Sequence, residues 1–159
     1  MKKQHGFTLV EVMVAVAIMG VLASTIGITM GVLLGQRVKS MAADTKSVLQ
    51  GTQMVSFSQD DAYVEMKQNG NKAQVVAYSS GGKEILRADG SNVQLTISIN
   101  NGTYIPLNGP VSIRFDRQTG GLKPLADGTT DYISAIRVSN GNRTITLKIS
   151  KLTGKVTIE

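Results

Sequence analysis

Glu11 is a lone carboxylate near the start of a long apolar stretch. The stretch begins at Phe7, and from Val12 to Gln36 no side chain is charged. As a helix, that uncharged run covers about 37 Å at about 1.5 Å per residue, and about 20 apolar residues suffice to cross a bilayer. A charge at the centre of a membrane helix costs on the order of 2.5–3.5 kcal/mol by insertion scales, and less near an end. The chemistry open to Glu11 is therefore charge pairing, since an acid in apolar surroundings is tolerated when a cation meets it. Lys2 and Lys3 stand before the stretch, with His5 and Gly6 between them and Phe7.

Other chemistry is thin. The 159 residues contain no cysteine, which excludes disulfides, thiolate metal sites and a cysteine nucleophile. The one histidine, His5, precedes the apolar stretch, so a histidine-dependent triad is excluded from the rest of the chain. No phosphate loop or nucleophile with a base emerges, and no enzyme site, cofactor or metal is expected. Asp127 and Asp131 share a polar loop, but it lacks the ordered oxygen ligands of an EF-hand. Asn101-Gly-Thr and Asn142-Arg-Thr match the N-glycosylation pattern, which by chance is common. The balance is basic, 17 Lys and Arg against 11 Asp and Glu. Arg114, Arg117, Lys123, Arg137, Arg143, Lys148, Lys151 and Lys155 gather in the last third. Arg137, Arg143, Lys148, Lys151 and Lys155 are candidate DNA contacts through phosphate neutralisation. The competing reading is a solvated face, favoured by the lack of interleaved aromatics for base stacking.

These residues are positioned by a simple plan. Residues 1–6 are a short basic leader. Residues 7–36 form a hydrophobic helix, too long for the apolar core of a cleaved secretory signal and without an Ala-x-Ala pattern to close it. Ala23, Gly27, Gly31 and Gly35 recur every four residues on one helix face. Small residues at that spacing allow close helix packing in lipid, although glycine is also simply commoner in membrane helices. Gly20, Gly27, Gly31 and Gly35 also make the segment easy to unwind, at about 1 kcal/mol per glycine relative to alanine. Residues 37–57 continue as an amphipathic helix, with Met41, Thr45, Val48, Leu49, Thr52 and Val55 at helical spacing and charges between them.

Residues 58–159 form a β-rich head. Ser58 to Asp61 breaks the helix, and alternating strands are predicted at 74–79, 84–87, 93–99, 111–116, 132–139, 144–150 and 155–159. Turns rich in Asn and Gly separate them, and the last three strands read as a meander. The predicted fold is α+β: a long N-terminal helix, transmembrane then amphipathic, packed on an antiparallel β-sheet head.

The order Lys2-Lys3-x-x-Gly6-Phe7-Thr8-Leu9-Val10-Glu11, followed by the apolar helix, resembles the class III signal of type IV pilins and type II secretion pseudopilins. The resemblance implies cleavage after Gly6 by a prepilin peptidase on the cytoplasmic side, N-methylation of Phe7, and pairing of Glu11 with the N-terminal amine of a neighbouring subunit. It implies a structural subunit held in the inner membrane, then assembled with other pilins by an assembly platform into an extracellular or periplasmic filament. Many major pilins carry a proline about halfway along this helix. Here the first proline is Pro106, which favours a minor pilin or pseudopilin. Residues 111–159 resemble the β-rich domain of H-type pseudopilins and FimT-like minor pilins, through Val111-Ser-Ile-Arg-Phe-Asp-Arg-Gln-Thr-Gly, a late Arg-Val-Ser-Asn-Gly-Asn-Arg and a closing Leu-Thr-Gly-Lys-Val. The alternatives are a DNA- or surface-binding minor pilin at a filament tip, as in DNA uptake, and a major pilin.

Overall fold

The computed structural model describes residues 8–125 and 129–159, except the side chains of residues 25–34. Among these residues one helix, α1 (Leu9–Ser56), is followed by nine strands. The chain divides into two compact units, Met1–Leu33 and Leu34–Glu159.

In the first unit α1 is apolar on all sides. Leu9, Val10, Val12, Met13, Val16, Ile18, Met19, Val21 and Leu22 are all exposed there. A helix that is hydrophobic all round belongs in lipid or in a bundle core. Among the described residues no helical stretch is long and apolar enough to cross a membrane.

In the second unit α1 becomes one-sided. Val38, Met41, Ala42, Thr45, Val48, Leu49, Thr52 and Ser56 are buried, three and four residues apart, so they form one stripe. Arg37, Lys39, Asp44 and Gln50 remain exposed. The Thr52 hydroxyl, buried in that stripe, donates to the Val48 carbonyl at 2.8 Å. Gln59 N–H closes the helix end on the Val55 carbonyl at 2.9 Å.

The strands are β1 (Tyr63–Asn69), β2 (Lys72–Tyr78), β3 (Glu84–Ser91), β4 (Gln94–Ile99), β5 (Tyr104–Pro106), β6 (Val111–Arg114), β7 (Ile133–Ser139), β8 (Thr144–Ile149) and β9 (Val156–Ile158). They form two antiparallel sheets, ordered β3-β2-β1-β6 and β5-β4-β7-β8-β9. Both edges of the five-stranded sheet are three-residue strands, and β5 ends in Pro106. The expected closing meander is β7-β8-β9. β1 and β5 were not anticipated, and the head has two sheets where one was expected. The core draws on both sheets and on α1, with Val64, Met66 and Val75 from one sheet, Leu95, Ile136 and Leu147 from the other, and Phe115 fully buried.

Two glutamines tie these layers. Gln68 on β1 donates to the Val93 carbonyl at 3.2 Å and accepts the Leu95 N–H at 3.0 Å, linking the sheets. Gln53 on α1 donates to the carbonyls of Gly120 (2.8 Å) and Thr153 (2.7 Å), fastening two distant loops to the helix.

The loop after β6 is closed by Asp116. Its Oδ1 accepts the Thr119 N–H at 2.9 Å, the Thr119 hydroxyl at 2.9 Å and the Gln118 N–H at 3.1 Å. These bonds, led by the Thr119 N–H, hold its carboxyl below the usual aspartate range. A carboxylate with a depressed native pKa contributes stability above its unfolded value, about 3.9, and loses it as pH falls through the native value. The Asp116 carboxyl is expected to titrate below pH ~3.9 in a carbon-13 NMR titration. Asp116→Asn should flatten the acid limb of the unfolding curve in that window. A midpoint at or above the ordinary value would refute the loop-closing role.

Candidate functional site

The N-terminal site is built by the first turn of α1. Thr8 precedes the helix and Glu11 lies in its first turn. The Glu11 carboxylate accepts the Thr8 N–H at 2.8 Å and the Thr8 hydroxyl at 2.9 Å, while Thr8 Oγ1 accepts the Glu11 N–H at 3.3 Å. The Thr8 carbonyl takes the first intrahelical bond, from Val12 N–H at 3.3 Å. This reciprocal arrangement is a capping box, in which the side chain three residues into the helix reaches back to the cap. The Thr-x-x-Glu spacing announces it in the sequence, but charge pairing alone was expected of Glu11. The carboxylate is exposed, so capping leaves it open to a cation.

Along the same helix side, Val12, Ala15, Val16 and Met19 follow Glu11 and line a shallow apolar groove. Gly6 and Phe7, the expected cleavage and methylation positions, lie outside the described residues, and the surroundings of Gly27 and Gly31 are likewise not described. Ala23 is exposed in the first unit. Gly35 belongs to the second, where a Cβ would stand 3.7 Å from Arg143 Nη1 on the β7–β8 turn.

The basic residues of the last third do not converge. Arg143 sits on the β7–β8 turn, whereas Lys151 and Lys155 sit at the opposite end of β8. Lys148 is paired with Glu159 at 2.8 Å. That bond raises the lysine's pKa, so the ammonium is engaged. The Arg137 guanidinium carbon lies 3.5 Å from the Tyr104 ring centre, and its buried Nε has no hydrogen-bond partner among the described residues. Lys151 lies over Tyr132 at 4.8 Å. Lys123 pairs with Asp60 at 3.1 Å, Arg117 donates to the Phe57 carbonyl at 3.3 Å, and Arg114 is 6.0 Å from the Tyr63 ring. Among the described residues no group of acidic or histidine side chains is placed to hold a metal. Asp131 accepts from the Asn100 amide at 2.7 Å, and Asp127 lies outside the described residues.

Residues 1–27 match the family model described as the prokaryotic N-terminal methylation motif. No curated protein and no solved structure matches the chain. Beginning with Lys2 and Lys3, running through Gly6 and Phe7 to the capped Glu11, and followed by the all-apolar helix, this chain carries the class III signal of a type IV pilin-like prepilin.

Proposed function

We propose that the protein is a minor pilin or pseudopilin, a structural subunit of a type IV pilin-like filament. A prepilin peptidase cuts after Gly6 and Phe7 becomes the methylated N-terminus. The segment from Phe7 to Gln36 waits in the cytoplasmic membrane. It then joins a bundle of like helices, in which Glu11 meets the Phe7 ammonium of a neighbour and the Ala23, Gly27, Gly31 and Gly35 face packs closely. The turn-rich head of residues 58–159, carried on the amphipathic end of α1, forms the filament surface.

The observation that carries this reading is the pairing of an all-apolar exposed helix with one accessible carboxylate in its first turn, inside a methylation motif. Such a helix needs lipid or other helices on every side, and the acid needs a cation at one fixed height. The absence of proline before Pro106 supports a minor or pseudopilin role.

Mass spectrometry of the protein isolated from cells carrying its peptidase is expected to show an N-terminus at Phe7 bearing one methyl group. A mature protein that retains Met1 overturns the reading.

A further inference from the structure

The two ends of the second unit differ in charge. Antiparallel pairing brings the β1–β2 turn, the β3–β4 link and the β7–β8 turn to the end where the chain arrives from Leu34. Contacts with the helix fix them there. A Cβ on Gly90 would lie 3.0 Å from Met41 Sδ, and Arg143 lies against Gly35. Across residues 35–40, 69–72, 90–94 and 139–144 there is no aspartate or glutamate. The cations there are Arg37, Lys39, Lys72 and Arg143, all exposed. None of them is ion-paired among the described residues.

Of the nearest acids, Asp44 accepts from Ser40 at 3.2 Å and Asp89 from Gln74 at 3.0 Å, while Glu159 lines a groove with Lys39 and Arg143 and is neutralised there by Lys148 at 2.8 Å. The opposite end mixes signs, with Asp60, Asp61, Asp116 and Asp131 among Lys83, Arg117, Lys151 and Lys155.

Between the cations the surface is carboxamide. Asn71, Asn92, Gln94 and Asn140 line an open polar recess of about 220 Å³. Carboxamides both donate and accept, so they suit phosphodiester and glycerol oxygens together. These four segments contain no aromatic residue, which removes the stacking platform that single-stranded nucleic acid binding uses. The apolar segment precedes this surface directly in the chain.

We propose that this end of the second unit is a docking surface for anionic phospholipid headgroups, which parks the head on the bilayer before the subunit is extracted. The inference rests on the reading of residues 7–36 as membrane-held. Each cation near an anionic surface contributes about fivefold to association, and the contribution decays within a Debye length of ~10 Å at 0.1 M salt.

The absence of cysteine allows single spin labels on the full chain, reconstituted in phosphatidylcholine vesicles with or without phosphatidylglycerol and with a nickel-chelating headgroup as collision probe. A label at Asn142→Cys is expected to collide several-fold more often with the headgroup nickel when phosphatidylglycerol is present. The rise should vanish in high salt and in Lys39→Glu/Lys72→Glu/Arg143→Glu. A label at Ser80→Cys, at the opposite end, should not respond. A third label at Val21→Cys reports insertion of the apolar segment.

An inserted Val21 label with an Asn142 label indifferent to phosphatidylglycerol overturns this proposal alone. An Asn142 response matched by Ser80 also overturns it, as does loss of the response to added duplex DNA. A water-exposed Val21 label overturns the membrane reading and this proposal with it.

Discussion

Glu11→Gln is expected to insert into the membrane at wild-type levels and to fail to enter filaments. Glutamine fills the third helical position of a capping box as well as glutamate does, so the bonds to Thr8 survive and the helix starts normally. What disappears is the charge. In an assembled bundle the Phe7 ammonium would then stand unpaired among apolar side chains. Breaking a buried pair by removing one partner costs about 3–5 kcal/mol, a loss on the order of a hundredfold or more in subunit affinity at 1.4 kcal/mol per decade. The complementary change, Thr8→Ala, keeps the charge and removes the cap, at about 1 kcal/mol. It should leave filaments largely intact. Filament yield by shearing and electron microscopy, beside the amount of subunit in the membrane fraction, separates the two roles. Wild-type filaments from Glu11→Gln would reduce Glu11 to a local cap.

Gly154→Ala is expected to cost more stability than any other single methyl added to the head. Gly154 has φ of +62°, where alanine is strained by roughly 1–2 kcal/mol. The added methyl would also collide with the Gly120 carbonyl and stand 2.5 Å from Gln53 Nε2 and 3.1 Å from Phe115. Relief of that collision displaces the Gln53 amide from the carbonyls it joins. The Gly120 carbonyl is buried and costs about 1–3 kcal/mol if left unpaired, whereas the exposed Thr153 carbonyl can turn to water. Strain and the unpaired carbonyl together come to about 2–5 kcal/mol, toward the large end for a single substitution. A Tm lower by about 10 °C is the expected reading. Gly81→Ala is the control, since Gly81 has φ of +90° and open space around it. It carries backbone strain alone and should lose far less. Equal losses in the two variants would show that the close approach at Gly154 does not matter.

The Gly154 junction also shows where sequence reading reaches its limit. The helix stripe was legible because Met41, Thr45, Val48, Leu49 and Thr52 repeat at a period only a helix explains, and all five are buried. The last three strands were legible because Ile145, Leu147 and Ile149 alternate cleanly. β1 was not, because it presents only Val64 and Met66 to the core and follows them with Lys67, Gln68 and Asn69. Its stability comes from pairing on both sides, with β2 and β6, and pairing leaves no mark on a single strand's composition. β5 is too short to show any period. Gln53 and Gln68 are ordinary polar residues until the fold brings carbonyls 67 and 25 positions away within reach. At the N-terminus the acid was conspicuous by its apolar setting. The capping partner three residues earlier was equally visible, but a single charge in an apolar run draws attention to distant partners first.

The three-residue edges of the five-stranded sheet bear on crowding. An open strand edge is a template for another chain, and an unprotected one at high local concentration seeds aggregates. Here β9 is too short to recruit a long strand, and Pro106 removes a donor from β5. Neither edge of this sheet therefore offers a long template, whereas β3, an edge of the four-stranded sheet, runs eight residues with Ile85 and Leu86 exposed, so contact between heads would start there.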